Sequence, residues 1–175
     1  MRAKVLSQEV IAQNYTRVYN LRILKIFKGA LSLNQTEGIR PYGSRQRSLF
    51  AKAYTASIDS LCGVELTNDT VYLLTGRIWR RKIQLGLCNW FQTWSTITPR
   101  QRVGIKRYYG QNCDCQISPC YAERCEKLEG CNSRSRIHFD DCEWNHSYCL
   151  KNADGSACSW RQTTEFKNCT IQTIP

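Results

Sequence analysis

Eleven cysteines stand in this 175-residue chain, and none precedes Cys62. A cysteine sulfur can bond a second sulfur, ligate a metal as its thiolate, or attack as a nucleophile. Cys62, Cys88 and Cys113 are widely spaced, whereas Cys115, Cys120, Cys125, Cys131, Cys142, Cys149, Cys158 and Cys169 crowd into the last third. Eight cysteines in about sixty residues is the density of a disulfide scaffold. A segment that short buries little apolar area, so cross-links restrict its unfolded ensemble instead. The odd total leaves at least one sulfur without an intrachain partner.

The other chemistries are weaker. His138 and His146 are the only histidines, and their H-x7-H spacing matches no common zinc pattern, so no bound metal or cofactor is expected. Asp140-Asp141 could be a carboxylate pair for acid–base work, but it reads as a solvated turn. No nucleophile, histidine and carboxylate stand in a catalytic arrangement, so no catalytic residue is assigned and an enzyme is not expected. Five N-x-[ST] sequons, at Asn14, Asn34, Asn68, Asn145 and Asn168, are candidate glycosylation sites and point with the cysteines to an oxidising, secreted setting. The opening residues, MRAKVLSQEV, lack the apolar region of a signal peptide, so the chain is expected to be incomplete at its N-terminus.

The formal net charge is +11. Outside a cell such a chain meets sulfated glycans and anionic surfaces. No nucleic-acid recognition motif is present, and no run approaches the roughly 18 apolar residues of a membrane helix. Arg77, Arg80, Arg81 and Lys82 fall together in GRIWRRK, and Arg40, Arg45 and Arg47 form a second cluster. Each reads either as a solvated loop or as a site for heparan sulfate or matrix. Trp79, Trp90 and Trp94 read as core or rim aromatics, and Tyr42 and Tyr54 as either.

These groups need elements to hold them. Residues 1–28 read as two strands, with Val18, Ile23, Ile26 and Phe27 as core contributors, and 29–38 as a loop. SLFAKAYTA (48–56) reads as a third strand after the turn-rich GIRPYGSRQR. TVYLLTG (70–76) and KIQLGLC (82–88) read as a hairpin pair joined through RIWRR. About five strands with turns at short intervals suggest a small barrel. In ITPRQRVGIKRYYG, Thr98 as N-cap, Pro99 at N1 and Gln101 at N3 spell a capping box, with Gly110 for a left-handed C-terminal position. The domain boundary is expected at Cys113–Cys115, giving domains 1–113 and 114–175, with NADGS (152–156) turning between two short strands.

In that order, RAKVLSQEV, LKIFKG, LCGVEL, YLLTGR, LCNWFQTWSTITPRQRVGIKRYYGQNCDCQISPC and CLKNADGSACSW resemble the tissue inhibitors of metalloproteinases over nearly the whole chain. The resemblance implies a mostly β architecture: a five-stranded OB-fold barrel of the netrin-like kind with a helix, then a small disulfide-rich domain. It implies the pairs Cys115–Cys158, Cys120–Cys125 and Cys131–Cys149; Cys142 and Cys169 could make a fourth. It further implies that Cys62, Cys88 and Cys113 bond cysteines of an N-terminal segment absent here, leaving all three unpaired.

Such inhibitors seal a protease's catalytic zinc with the amine and carbonyl oxygen of an N-terminal cysteine. Matched residue by residue, Asp59, Ser60, Leu61, Cys62, Gly63, Leu87 and Cys88 would meet the protease. The resemblance thus implies a secreted inhibitor of zinc metalloendopeptidases such as the matrix metalloproteinases. Met1 matches a position inside the first strand, so it is not expected to chelate, and the chain as written is expected to inhibit weakly or not at all. The alternative is a non-inhibitory netrin-like module that binds extracellular matrix or heparan sulfate, or signals.

Overall fold

A computed structural model describes residues 1–43, 48–120, 130–133 and 142–172. Arg45, Arg47, Cys125, His138, Asp140 and Asp141 lie outside the described residues. The chain divides into two compact units, Met1–Thr96 and Ile97–Pro175.

The first unit is a curled half-barrel. β1 (Arg2–Ile11) and β2 (Thr16–Lys25) form a long antiparallel hairpin. β4 (Ser48–Ala56) pairs along β2 from Thr16↔Ala56 to Ile23↔Leu49. β5 (Val71–Leu74) joins the other edge of β1, and β8 (Phe91–Thr93) joins β5. Strict alternation along β4 sends Ala51, Ala53 and Thr55 inward, and Tyr19, Leu21 and Ile23 do the same on β2. Apart from Thr55, these residues meet Ala3, Val5, Val64, Leu66, Leu74, Ile83 and Leu85 in one core. Phe27, expected in the core, instead stacks on Trp94 with centroids 6.1 Å apart.

Three readings of this unit change. The stretch read as a loop contains a short helix, α1 (Ala30–Asn34), which buries Leu33. The turn-rich segment before β4 contributes β3 (Arg40–Tyr42), paired to β4. The hairpin expected between 70–76 and 82–88 is instead made by β6 (Arg77–Trp79) and β7 (Lys82–Gln84), and β7 also runs parallel to β4. The turn is tight because Arg80 and Arg81 both adopt left-handed backbone, φ 48° and 61°, the two-residue geometry that suits the strand twist. Arginine is not the residue type that announces such a turn.

The second unit opens with α2 (Pro99–Val103). Thr98 Oγ1 accepts from Gln101 N, and Gln101 Oε1 accepts from Thr98 N, so the capping box is formed. At Gly104 the chain passes into a π-helical turn, Gly104–Tyr108. A Cβ at Gly104 would sit 3.4 Å from the Tyr109 ring and 3.5 Å from Tyr148. Gly110 is not among the left-handed glycines, because Tyr109 ends the turn in right-handed backbone. The helix is held by residues far along the chain: Thr98 Oγ1 donates to Asn145 O, and Gln101 Nε2 to Trp144 O.

Parallel β9 (Ile117–Pro119) and β10 (Cys131–Ser133) follow, then α3 (Cys142–His146), the hairpin of β11 (Cys149–Lys151) and β12 (Cys158–Trp160), and α4 (Thr164–Gln172). Disulfides join Cys115 to Cys158, Cys131 to Cys149 and Cys142 to Cys169.

Candidate protease-binding site

The strip at 59–63 is built as a turn on a short tether. Asp59–Leu61 form one 3-10 turn, closed by Cys62 N donating to Asp59 O at 2.8 Å, with Cys62 in left-handed backbone at φ 59°. Gly63 is required by a close approach: a Cβ there would clash with the carbonyl oxygen of Ala56. The turn therefore lies against the end of β4. Leu87 N donates to Cys62 O at 3.1 Å, so the backbone draws the 59–63 and 87–88 stretches together.

The side chains at this end face water although many are apolar. Leu61 is 57 % exposed, Leu87 48 % and Ile58 40 %. An apolar patch left in solvent marks a contact surface more often than a stability device. Sequence reasoning passed over a neighbour. Tyr15, at the tip of the β1–β2 hairpin, is 59 % exposed, and its carbonyl accepts from Ser57 N at 2.8 Å. Its signal was the sequon Asn14-Tyr15-Thr16, which marks a surface turn between two strands.

Cys62, Cys88 and Cys113 are free and exposed. Cys113 Sγ contacts Tyr109 O at 3.1 Å. Cys120 is buried, with Sγ 3.4 Å from Ser133 O, and its expected partner Cys125 lies outside the described residues. The sulfurs of Cys115, Cys149 and Cys158 lie within 4.8 Å of one another. Each is committed to a disulfide, so none is a thiolate that could hold a metal. The sequon asparagines Asn14, Asn34, Asn68 and Asn168 are exposed, and Asn145 is half-buried.

Met1 precedes β1 at the end of the ladder opposite the β1–β2 turn. Its amine donates to Leu74 O at 2.8 Å, next to β1 and β5, and burial pushes its pKa down to about 6. The amine is part of the sheet's hydrogen bonding.

A second feature lies on the outward face of the same sheet. Residues directly opposite across a ladder share a face, so the register puts Arg22, Phe50 and Arg40 together, with Tyr54, Gln84 and Arg77 further along. Cations cover aromatic rings there: Arg22 over Tyr42 at 5.0 Å, Arg40 over Phe50 at 4.6 Å and Lys82 over Tyr54 at 5.0 Å. At the adjoining turn Arg80 lies 4.3 Å over Trp79. Arg40 of one basic cluster and Arg77 and Lys82 of the other thus lie on one side of the sheet, linked across β4 and β7, while Arg81 turns to Glu37 and Gln35 and Arg45 and Arg47 lie outside the described residues.

A curled half-barrel sheet and a separate unit tied by disulfides define a two-unit, disulfide-stapled β protein, and the comparisons define it further. The family profile described as "Tissue inhibitor of metalloproteinase" matches residues 1–160. Curated relatives include "Metalloproteinase inhibitor 3" of Gallus gallus, 29 % identical over 168 residues covering 91 % of this chain and 72 % of the relative. The protein of the same name in Xenopus laevis is 30 % identical over 172 residues, with 91 % and 72 % covered. "Metalloproteinase inhibitor 4" of Rattus norvegicus is 30 % identical over 185 residues, with 91 % and 71 % covered. This chain belongs to the tissue inhibitor of metalloproteinase family.

Proposed function

We propose that the chain is an inhibitor of zinc metalloendopeptidases, acts outside the cell, and docks on the protease through Asp59, Ser60, Leu61, Cys62, Gly63, Leu87 and Cys88. The observation that carries this reading is the exposed apolar turn at Leu61, fixed against the end of β4 and joined by backbone to Leu87. A protease cleft accepts such a wedge because a preformed turn loses little conformational entropy on binding. A catalytic zinc keeps one ligand position open for water, and a group placed there removes the nucleophile. Cys62, exposed at the strip, is the point at which a zinc-directed segment would be anchored by a disulfide. Met1's amine, bonded within the sheet, is not that group.

Titrating a matrix metalloproteinase catalytic domain with the chain tests the reading. Saturable binding that Leu61→Asp abolishes supports it; binding unaffected by that change overturns it. No helix of the described residues is long and apolar enough to cross a membrane. The family match and the names of the relatives favour inhibition over a purely non-inhibitory module.

The outward basic face favours a second activity beside the first, retention on heparan sulfate or a similar sulfated glycan of the matrix. Arginine and lysine ranged over aromatic rings present both charge and flat apolar surface to a sulfated sugar. Replacing Arg40, Arg77 and Lys82 by glutamine is expected to lower the salt needed to elute the chain from heparin while leaving protease binding unchanged.

A further inference from the structure

We infer that Tyr19 and Arg17, which lie on β2 outside the docking strip, are the positioning residues that set the shape of that strip. The inference rests on the docking reading above. Tyr19 is fully buried in β2 among apolar residues. Its hydroxyl donates to Val64 O at 2.9 Å and accepts from Leu66 N at 2.8 Å. One phenol thus bridges two backbone groups on the descending side of the strip's loop. Both groups are buried, and no ladder partner serves them.

Arg17, two residues earlier on the same strand, holds the loop from both sides. One terminal nitrogen lies 3.5 Å from Ser57 O, before the strip. The other lies 3.3 Å from the Glu65 carboxylate, after the strip, and 3.5 Å from the Tyr19 hydroxyl. The Arg17 side chain is only 16 % exposed, so its contacts to Ser57 and Tyr19 are partly shielded from solvent, whereas Glu65 is 77 % exposed. Thr55, buried on β4, adds a third fastening by accepting from Val64 N at 3.0 Å. Residues 57 and 64–66 are therefore pinned to β2 and β4, while Asp59–Cys62 form the turn between them, tied at Cys62 O to Leu87 N. A loop fastened at both feet presents its turn in one shape before it meets a partner, which is how preorganisation raises affinity.

The alternative is that Tyr19 acts only as core filler, in which case its hydroxyl is dispensable for binding. Tyr19→Phe in the full chain separates the two, because it keeps the ring. The positioning role predicts faster amide hydrogen exchange by about tenfold or more at residues 61–66, with the β1–β5 ladder unchanged. It also predicts a loss of affinity for a matrix metalloproteinase catalytic domain of about tenfold, with unchanged elution from heparin. Arg17→Met should weaken binding in the same direction without touching the core, and Arg17→Lys, which keeps the charge beside Glu65, should restore part of it. Tyr19→Phe and Arg17→Met chains that bind as tightly as the unaltered chain overturn the inference alone. So does accelerated exchange spread over the whole sheet, which is general destabilisation. An unaltered chain that shows no binding overturns the docking reading itself, and the inference with it.

Discussion

Gly63 shows how much one residue decides at this site. Its φ is ordinary, so it is not needed for a left-handed turn; it is needed because the carbonyl of Ala56 occupies the space a Cβ would take. Backbone cannot swing away as a side-chain tip can, so Gly63→Ala must push the strip off the end of β4. Overpacking of this kind costs about 1–3 kcal/mol. A lower melting temperature together with weaker protease binding is the expected outcome. An alanine variant with an unchanged melt and unchanged affinity would show that the turn has room to shift. Leu61 should behave in the opposite way. It is largely exposed, so Leu61→Ala leaves stability within about 0.5 kcal/mol while protease affinity falls. Sequence resemblance located the strip, but not what holds it. The partners of the Tyr19 hydroxyl are 45 and 47 residues away along the chain, a juxtaposition that only the folded sheet reveals.

At the scale of elements, what could be read from the sequence was what is decided locally. Alternation in SLFAKAYTA specifies a half-buried strand, and Thr98, Pro99 and Gln101 specify a helix start by side chain to backbone bonds within one turn. The β6–β7 hairpin was misplaced because Arg80 and Arg81 take left-handed backbone without glycine or asparagine to signal it. The pairing of β5 with β1 and of β7 with β4 is non-local and leaves no periodic mark. Between helices, Arg100 of α2 donates to both carboxylate oxygens of Glu165 in α4, at 2.7 and 2.8 Å. The Arg100 hydrogen bond holds the Glu165 carboxyl below the usual carboxylate range. A lowered folded pKa stabilises the fold above the ordinary carboxylate pKa, and that contribution is lost as pH falls through the lowered value. Glu165→Gln is therefore expected to reduce stability at neutral pH and to match the unaltered chain in strong acid. A difference that persists in acid would assign the effect to packing instead.

For the molecule as a whole, two stabilising strategies sit in one chain. The first unit relies on a contiguous apolar core under a curled sheet, while the second, poorer in such residues, is tied by Cys115–Cys158, Cys131–Cys149 and Cys142–Cys169. The free thiols of Cys62, Cys88 and Cys113 are exposed, so alkylation of the native chain should label these three positions and spare the bridged cysteines. Labelling at Cys115 or Cys149 without reductant would contradict the pairing. The docking strip is a turn at the end of β4, whereas the basic face lies along the outward side of the sheet, which allows one to be altered without the other. Hydrogen-exchange footprinting of the chain with and without a matrix metalloproteinase catalytic domain tests the central claim most directly. Slowed exchange confined to residues 57–63 and 86–88 is the predicted result. Protection at the β3–β4–β7 face or on β11 and β12, with the strip unchanged, would contradict it.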